Sequence, residues 1–229
     1  MNIGIFSDTY TPQVNGVVTV IRALKTGLES RGHKVYVFTV KHPRAQEEAG
    51  VFRLHSLQFP KEPQHRIGMF ITKQIYDMVR PLNLDIVHTH SEFSLYLASR
   101  QVCRKYKIPS VHTLHSYYPD YLYYLPPLLR LVMEKKMSGY LKHILRSQRC
   151  VIAPSRKNAD FLLSRKISRT VKIIPNGIDL SHFYDRSPEL KESAGKIRER
   201  FGVGDESLIV FVGRLAQEKN VSVLLENFK

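Results

Sequence analysis

Short, near-continuous apolar runs separated by longer segments of helical period constrain this 229-residue chain more than any other feature. NIGIFS (2–7), VYVFTV (35–40), VFRLHS (51–56), DIVHTH (85–90), PSVHTL (109–114), CVIAPS (150–155) and VKIIP (171–175) read as strands. Between them lie helical segments. VVTVIRALKTGLESRGH (17–33) puts Val17, Ile21, Leu24 and Leu28 on one face and stops at Gly32. Residues 66–80, SLYLASRQVCRKY (94–106), roughly 127–149 and KNADFLLSR (157–165) follow the same period. Strands that are apolar throughout, alternating with helices, predict a parallel sheet covered on both faces. Ligands of such sheets lie off the carboxyl ends of the strands. Suspicion therefore falls on Asp8–Gly16, His88–Glu92, His112–Tyr118, Ser155–Arg156 and Asn176–Asp179.

After IIPNGID the chain turns polar and charge-mixed from Ser181 to Asp205, with Pro188 inside it. A short helix, KIRERFGV, is expected next, and SLIVFVGRL then restarts a strand–turn–helix pattern. This predicts a first domain over 1–180 and, over 181–229, a linker with the first unit of a second α/β domain.

Charge divides the same way. Residues 1–180 hold 27 Lys+Arg against 12 Asp+Glu, whereas 181–229 hold 8 of each, so the whole net charge of +15 belongs to the first region. A field of this sign suits a phosphorylated ligand, an anionic membrane surface or nucleic acid. There is no apolar run of about 18 residues, so no membrane-spanning helix is expected. The opening MNIGIFSDTYTP lacks a basic stretch followed by an apolar one, so no signal peptide is expected. Cys103 and Cys150 have no metal or redox spacing and read as reduced thiols of a cytoplasmic protein.

Four segments could carry chemistry. At Gly213, where a strand should pass into a helix, Arg214 and Lys219 add full charges to free N–H groups, which suits a diphosphate. Two solvated cations at a helix start would look the same. In SDTYTPQVNGVVTVIRAL, Gly16 lets a phosphate or sugar approach a helix N-terminus, although Asn-Gly is common in such loops. His88, His90, His112 and His115 end two probable strands. Zinc would need a better ligand set than these imidazoles offer, and a histidine facing the cleft and donating to a substrate oxygen fits better. Finally, Leu129, Val132, Met133, Met137, Tyr140, Leu141, Ile144 and Leu145 recur at helical spacing among six Lys/Arg and one Glu between Pro126 and Arg149. Tyr117, Tyr118, Tyr121, Tyr123 and Tyr124 precede them. Both a helix lying in a membrane surface and a core helix with a basic outer face have this pattern. In the first case Arg130, Lys135, Lys136, Lys142 and Arg146 meet the lipid.

IFSDTYTPQVNGVVT with LKTGLESRGHKVYVFT, HTHSEFSLYLA, VHTLHSYYPDYLYY, IAPSRKNADFL, IIPNGIDLSHF and FVGRLAQEKN together resemble the N-terminal part of the retaining GT-B glycosyltransferases of family 4. They run in the family's order along the whole chain. The HT-x-H and Tyr-rich segment is most similar to bacterial enzymes that glycosylate diacylglycerol. The resemblance implies a Rossmann-like N-terminal domain of a GT-B fold and a truncated start of the second. It also implies a nucleotide-sugar donor such as UDP-glucose, a lipid acceptor, and peripheral attachment to the inner face of the cell membrane. Gly16 would approach the donor, His112 would contact the transferred sugar, and Arg214 with Lys219 would bind the diphosphate. Two cations there make a metal or other cofactor unnecessary, in keeping with the lack of a D-x-D motif. The E-x₇-E segment that holds the donor in the family does not occur after Lys219, where only Glu226 follows, so the chain alone is expected to be inactive. A soluble or polysaccharide acceptor is the rival within the class. A non-catalytic basic module that binds anions or nucleic acid is the rival outside it, and it would interleave aromatics with Lys/Arg along a groove.

Overall fold

The computed structural model describes the chain apart from residues 60–61, 70–71, 119–125, 169, 179, 181–183, 185–186, 205, 214, 216–218 and 229, and apart from the side chains of 59, 62–65, 72, 127, 128, 130 and 131. The candidate donor-binding Arg214 and the side chain of Arg130 thus lie outside the described residues. Two compact units result, Met1–Ile178 and Asp179–Lys229.

The first unit is built on strands β1 (Asn2–Phe6), β2 (Lys34–Val40), β3 (Val51–Leu54), β6 (Ile86–Thr89), β7 (Ser110–Thr113), β8 (Cys150–Ala153) and β9 (Val171–Ile173). They form one seven-stranded sheet in the order β3-β2-β1-β6-β7-β8-β9, and every pair is parallel. The two-residue period of a strand explains why these runs are apolar throughout. Ile3, Ile5, Val35 and Val37 point to one face, where Ile21 of helix α1 (Gly16–Glu29) covers them. Phe6, Phe38 and Val40 point to the other, under α2 (Thr72–Val79) and α3 (Ser94–Tyr106), with Phe6 and Phe38 stacked at 4.5 Å. A third cluster unites Tyr96 and Leu114 with α4 (Pro127–Leu145), β8 and α5 (Arg156–Ser164).

Chain order reverses between β1 and β6. β1 pairs with β2 on one side and with β6 on the other, and the connections from these two strands leave on opposite faces. The loops at their carboxyl ends diverge there, which opens the crevice such folds use. Local caps fix where the helices start. Asn15 Oδ1 accepts from Val18 N at 3.0 Å at the head of α1, and Ser155 Oγ from Asn158 N at 3.3 Å at the head of α5.

Three expectations are corrected. The helix over 66–80 shortens to α2, followed by a 3-10 turn at Arg80–Leu82, because residues up to Gly68 belong to a hairpin of β4 (Ser56–Phe59) and β5 (Glu62–Gly68). Leu57 faces Ile67 across this hairpin, and Arg66 reaches back to Ser56 Oγ at 2.8 Å. The pairing is non-local and local periodicity cannot register it. Gly68 sits so close to α3 that an added Cβ would lie 2.9 Å from Ser94 Oγ. Second, the short helix at 196–203 is the end of α6 (Pro188–Arg200), capped by Ser187, whose Oγ accepts from Leu190 N at 3.3 Å. Third, residues 208–213 form no strand, and Val210 and Val212 are exposed. A strand exists only through ladder bonds to a neighbour, and among the described residues of the second unit there is none. The helix after Lys219 is the six-residue α7 (Val221–Glu226).

Candidate active site

Three segments meet where the sheet reverses: Ser7–Asp8 after β1, His90–Glu92 after β6 and Leu114–Tyr118 after β7. His90 N donates to Phe6 O at 2.9 Å, which extends the β1–β6 ladder into the loop. Asp8 follows at once. Its carboxylate accepts from Ser91 Oγ at 2.5 Å, from Ser94 Oγ, and from Leu95 N at 3.1 Å at the head of α3. Burial pushes its pKa up, and these donors pull against that. Asp8 therefore clamps β1 to α3. Ser94 in turn accepts from Gly68 N at 2.9 Å, which brings the hairpin to the same point.

His112 comes from the middle of β7 and is fully buried. Its Nδ1 lies 2.7 Å from Thr89 Oγ1 on the paired strand, and its Nε2 lies 3.2 Å from Glu92 Oε1. Both nitrogens thus have a partner within the protein, Thr89 on one side and Glu92 on the other. The other oxygen of Glu92 accepts from Tyr118 OH at 2.8 Å, and its backbone carbonyl accepts from Tyr140 OH on α4. Glu92 is only 5% exposed, so these donors are what make a buried carboxylate tolerable. No spacing in the sequence marks Glu92. Its one signal is its place directly after β6, within the window already under suspicion.

His88, His90 and His115 form a separate stack. His88 Nε2 meets Thr113 Oγ1 at 2.7 Å, and His90 Nδ1 meets His115 Nε2 at 2.8 Å. Burial pulls all three toward the neutral form, His88 down to about 3, His115 to about 4 and His90 well below the usual value. Neutral stacked imidazoles act as core here, with His90 Nε2 left buried and without a hydrogen-bond partner among the described residues. Among the described residues no group of three or more His, Cys, Asp or Glu is arranged to hold a metal ion.

Gly16 opens α1 directly beyond the β1 loop, at the same carboxyl edge as His112. A Cβ added there would meet no protein atom within 4 Å, so packing does not require the glycine. Its position leaves the backbone open to close approach. Lys219 is exposed in the second unit.

On α4 the apolar stripe divides. Leu141, Ile144 and Leu145 are core, while Leu129 and Val132, nearer its start, are 51% and 48% exposed. Lys135, Lys136, Lys142 and Arg146 are all exposed. The helix is held by Tyr96 OH donating to Ile144 O and by an Arg165–Glu134 ion pair. The core reading thus holds for the end of the helix, and the start of the helix is exposed. No helix among the described residues is long and apolar enough to cross a membrane.

A doubly wound parallel sheet with polar loops gathered at its switch point is a fold shared with GT-B glycosyltransferase structures. Sucrose-phosphate synthase from Thermosynechococcus elongatus superposes with a TM-score of 0.68 at 19% identity, over 98% of this chain and 58% of that one. The catalytic domain of starch synthase IV from Arabidopsis thaliana does so with a TM-score of 0.59 at 14% identity, over 98% and 64%. The pattern of Glycosyltransferase Family 4 matches residues 14–182, and the chain belongs to that family. Alpha-monoglucosyldiacylglycerol synthases from Streptococcus pneumoniae and Acholeplasma laidlawii are 36% and 35% identical over 100% of this chain. A GDP-mannose-dependent alpha-mannosyltransferase from Mycobacterium tuberculosis is 25% identical over 98% of it. The chain spans 52%, 59% and 58% of the lengths of these three relatives.

Proposed function

We propose that this chain is the acceptor-side part of an enzyme that moves glucose from a nucleotide sugar to a diacylglycerol-type lipid with retention of configuration. The observation that carries the reading is the identity above one third, along the whole chain, to synthases of that glycolipid from two bacteria. The exposed start of α4 supports the lipid acceptor. Leu129 and Val132 stand on it beside Lys135 and Lys136, a combination suited to an anionic bilayer surface. The enzyme would then work as a peripheral protein on the inner face of the cell membrane.

In this reading Arg214 and Lys219 of the second unit bind the donor diphosphate, and Gly16 of the first leaves the main chain of α1 open to a ligand. Breaking the sugar–phosphate bond builds negative charge on the departing phosphate, and two fixed cations stabilise it without a metal ion. His112, buried between Thr89 and Glu92 at the switch point, would contact the transferred sugar by giving up one of these two partners. The test is a radiolabelled UDP-sugar assay on a chain extended to the length of its relatives, with a panel of lipid and soluble acceptors. Labelled glycolipid is the expected product. Transfer to soluble sugars alone would overturn the lipid reading.

A further inference from the structure

Among the described residues, Glu92 is the carboxylate in contact with His112. An ionised carboxylate only accepts hydrogen bonds. Oε2 accepts from Tyr118, so Oε1 at 3.2 Å is left to accept from His112 Nε2. Nδ1 faces the Thr89 hydroxyl at 2.7 Å, and that hydroxyl also lies 3.3 Å from Val111 O, to which it can donate.

We propose that Glu92 is the positioning residue of His112, fixing its Nε2–H tautomer and its ring plane, and that it ties this ring to helix α4. The tie to α4 is the Tyr140 hydroxyl, which donates to the Glu92 carbonyl. Tyr140 is 41% exposed on the same helix whose start carries Leu129, Val132 and the lysines. The helix assigned to the lipid surface is therefore one hydrogen bond from the residue that holds the sugar-contacting histidine. Carboxylates that orient a working histidine through its second nitrogen are a recurrent device, because the imidazole tautomer is set by the bond its other nitrogen makes. The kinetic part of this inference rests on the glycosyltransferase reading, whereas the tautomer part does not.

The experiment begins on the 229-residue chain labelled with ¹⁵N histidine, where long-range ¹H–¹⁵N correlation reads each ring tautomer. His112→Gln assigns the signal. The wild type should show His112 protonated at Nε2, with a slowly exchanging ring N–H. Glu92→Gln should keep that tautomer, since an amide oxygen still accepts. Glu92→Ala should speed N–H exchange and mix the tautomers, and Tyr140→Phe should shift the signal by a smaller amount. An Nδ1–H tautomer in the wild type overturns the proposal without any variant. An unchanged His112 signal in folded Glu92→Ala overturns it as well. In the extended enzyme, Glu92→Gln should stay near the wild-type kcat, whereas Glu92→Ala should lower it about 10-fold with donor KM little moved, as expected for loss of alignment rather than of binding. Wild-type kcat in Glu92→Ala would reject the positioning role. Failure of the wild-type enzyme to glycosylate lipid would instead count against the acceptor, and the ring spectrum separates the two.

Discussion

Helix α4 offers a direct test of how the structure divides one apolar stripe. Leu141 and Leu145 are fully buried, packed with Tyr96, Leu114, Val151 and Phe161. Truncating either to Ala removes buried methyl groups and leaves a hole that a sheet-backed core can close only in part. Such changes cost about 2–5 kcal/mol, and about 3 is expected here. Leu129→Ala and Val132→Ala remove side chains that are about half exposed, so each should stay within about 0.5 kcal/mol. With a urea slope of about 2 kcal/mol/M, the core variants should lose about 1.5 M in midpoint and the surface ones less than about 0.3 M. The chain has no Trp, and of its 12 Tyr only Tyr184 lies beyond the first unit, so tyrosine fluorescence reports on that unit. The surface pair should have the opposite effect on vesicles. It should reduce the salt-resistant part of binding while the fold stays intact, because this part comes from apolar insertion rather than charge. Equal midpoint losses for all four variants would refute the division. So would a loss of about 2 kcal/mol or more for Leu129→Ala.

The triple change Lys135→Glu, Lys136→Glu, Lys142→Glu should abolish sedimentation with anionic vesicles at low salt, since each basic residue near such a leaflet contributes about 1 kcal/mol. Unchanged binding would reject α4 as the docking surface. In the extended enzyme, Arg214→Ala, Lys219→Ala and His112→Ala should each slow turnover about 10²-fold, or about 3 kcal/mol. Near-normal kcat in all three would remove them from the chemistry. Stability should fall on acidification, because His88 and His115 titrate at about 3 and about 4 when folded and closer to 6.5 when unfolded. Their contribution is full above about 6.5 and lost as pH drops toward the folded values, at up to about 1.4 kcal/mol per unit for each. Asp8, raised by burial, works in the opposite sense. Urea melts at pH 7 and pH 5 should differ by a few kcal/mol, and a flat profile would contradict the buried neutral state of the stack.

What was legible in the sequence is what neighbours along the chain decide. The alternation that sends Ile3 and Ile5 to one face and Phe6 to the other is local, and so is the caps' hold on α1 and α5. α3 occupies the 94–106 segment that its period marks. From such signals the parallel α/β architecture and the loops worth watching followed, because both depend on element type and order. Tertiary structure decided everything that needs a distant partner. Residues 66–68 became strand because β4 was there to pair with them. Residues 208–213, as apolar as any strand of the sheet, stayed unpaired because no described neighbour offered a ladder. One stripe on α4 became core at Leu141, Ile144 and Leu145 and surface at Leu129 and Val132, according to where β8 and α5 lie beneath it. Glu92 reached His112 across 20 residues of chain only when β6 and β7 paired in register. Periodicity records which faces can be buried, whereas hydrogen bonds and burial between distant segments are set by the packed sheet alone.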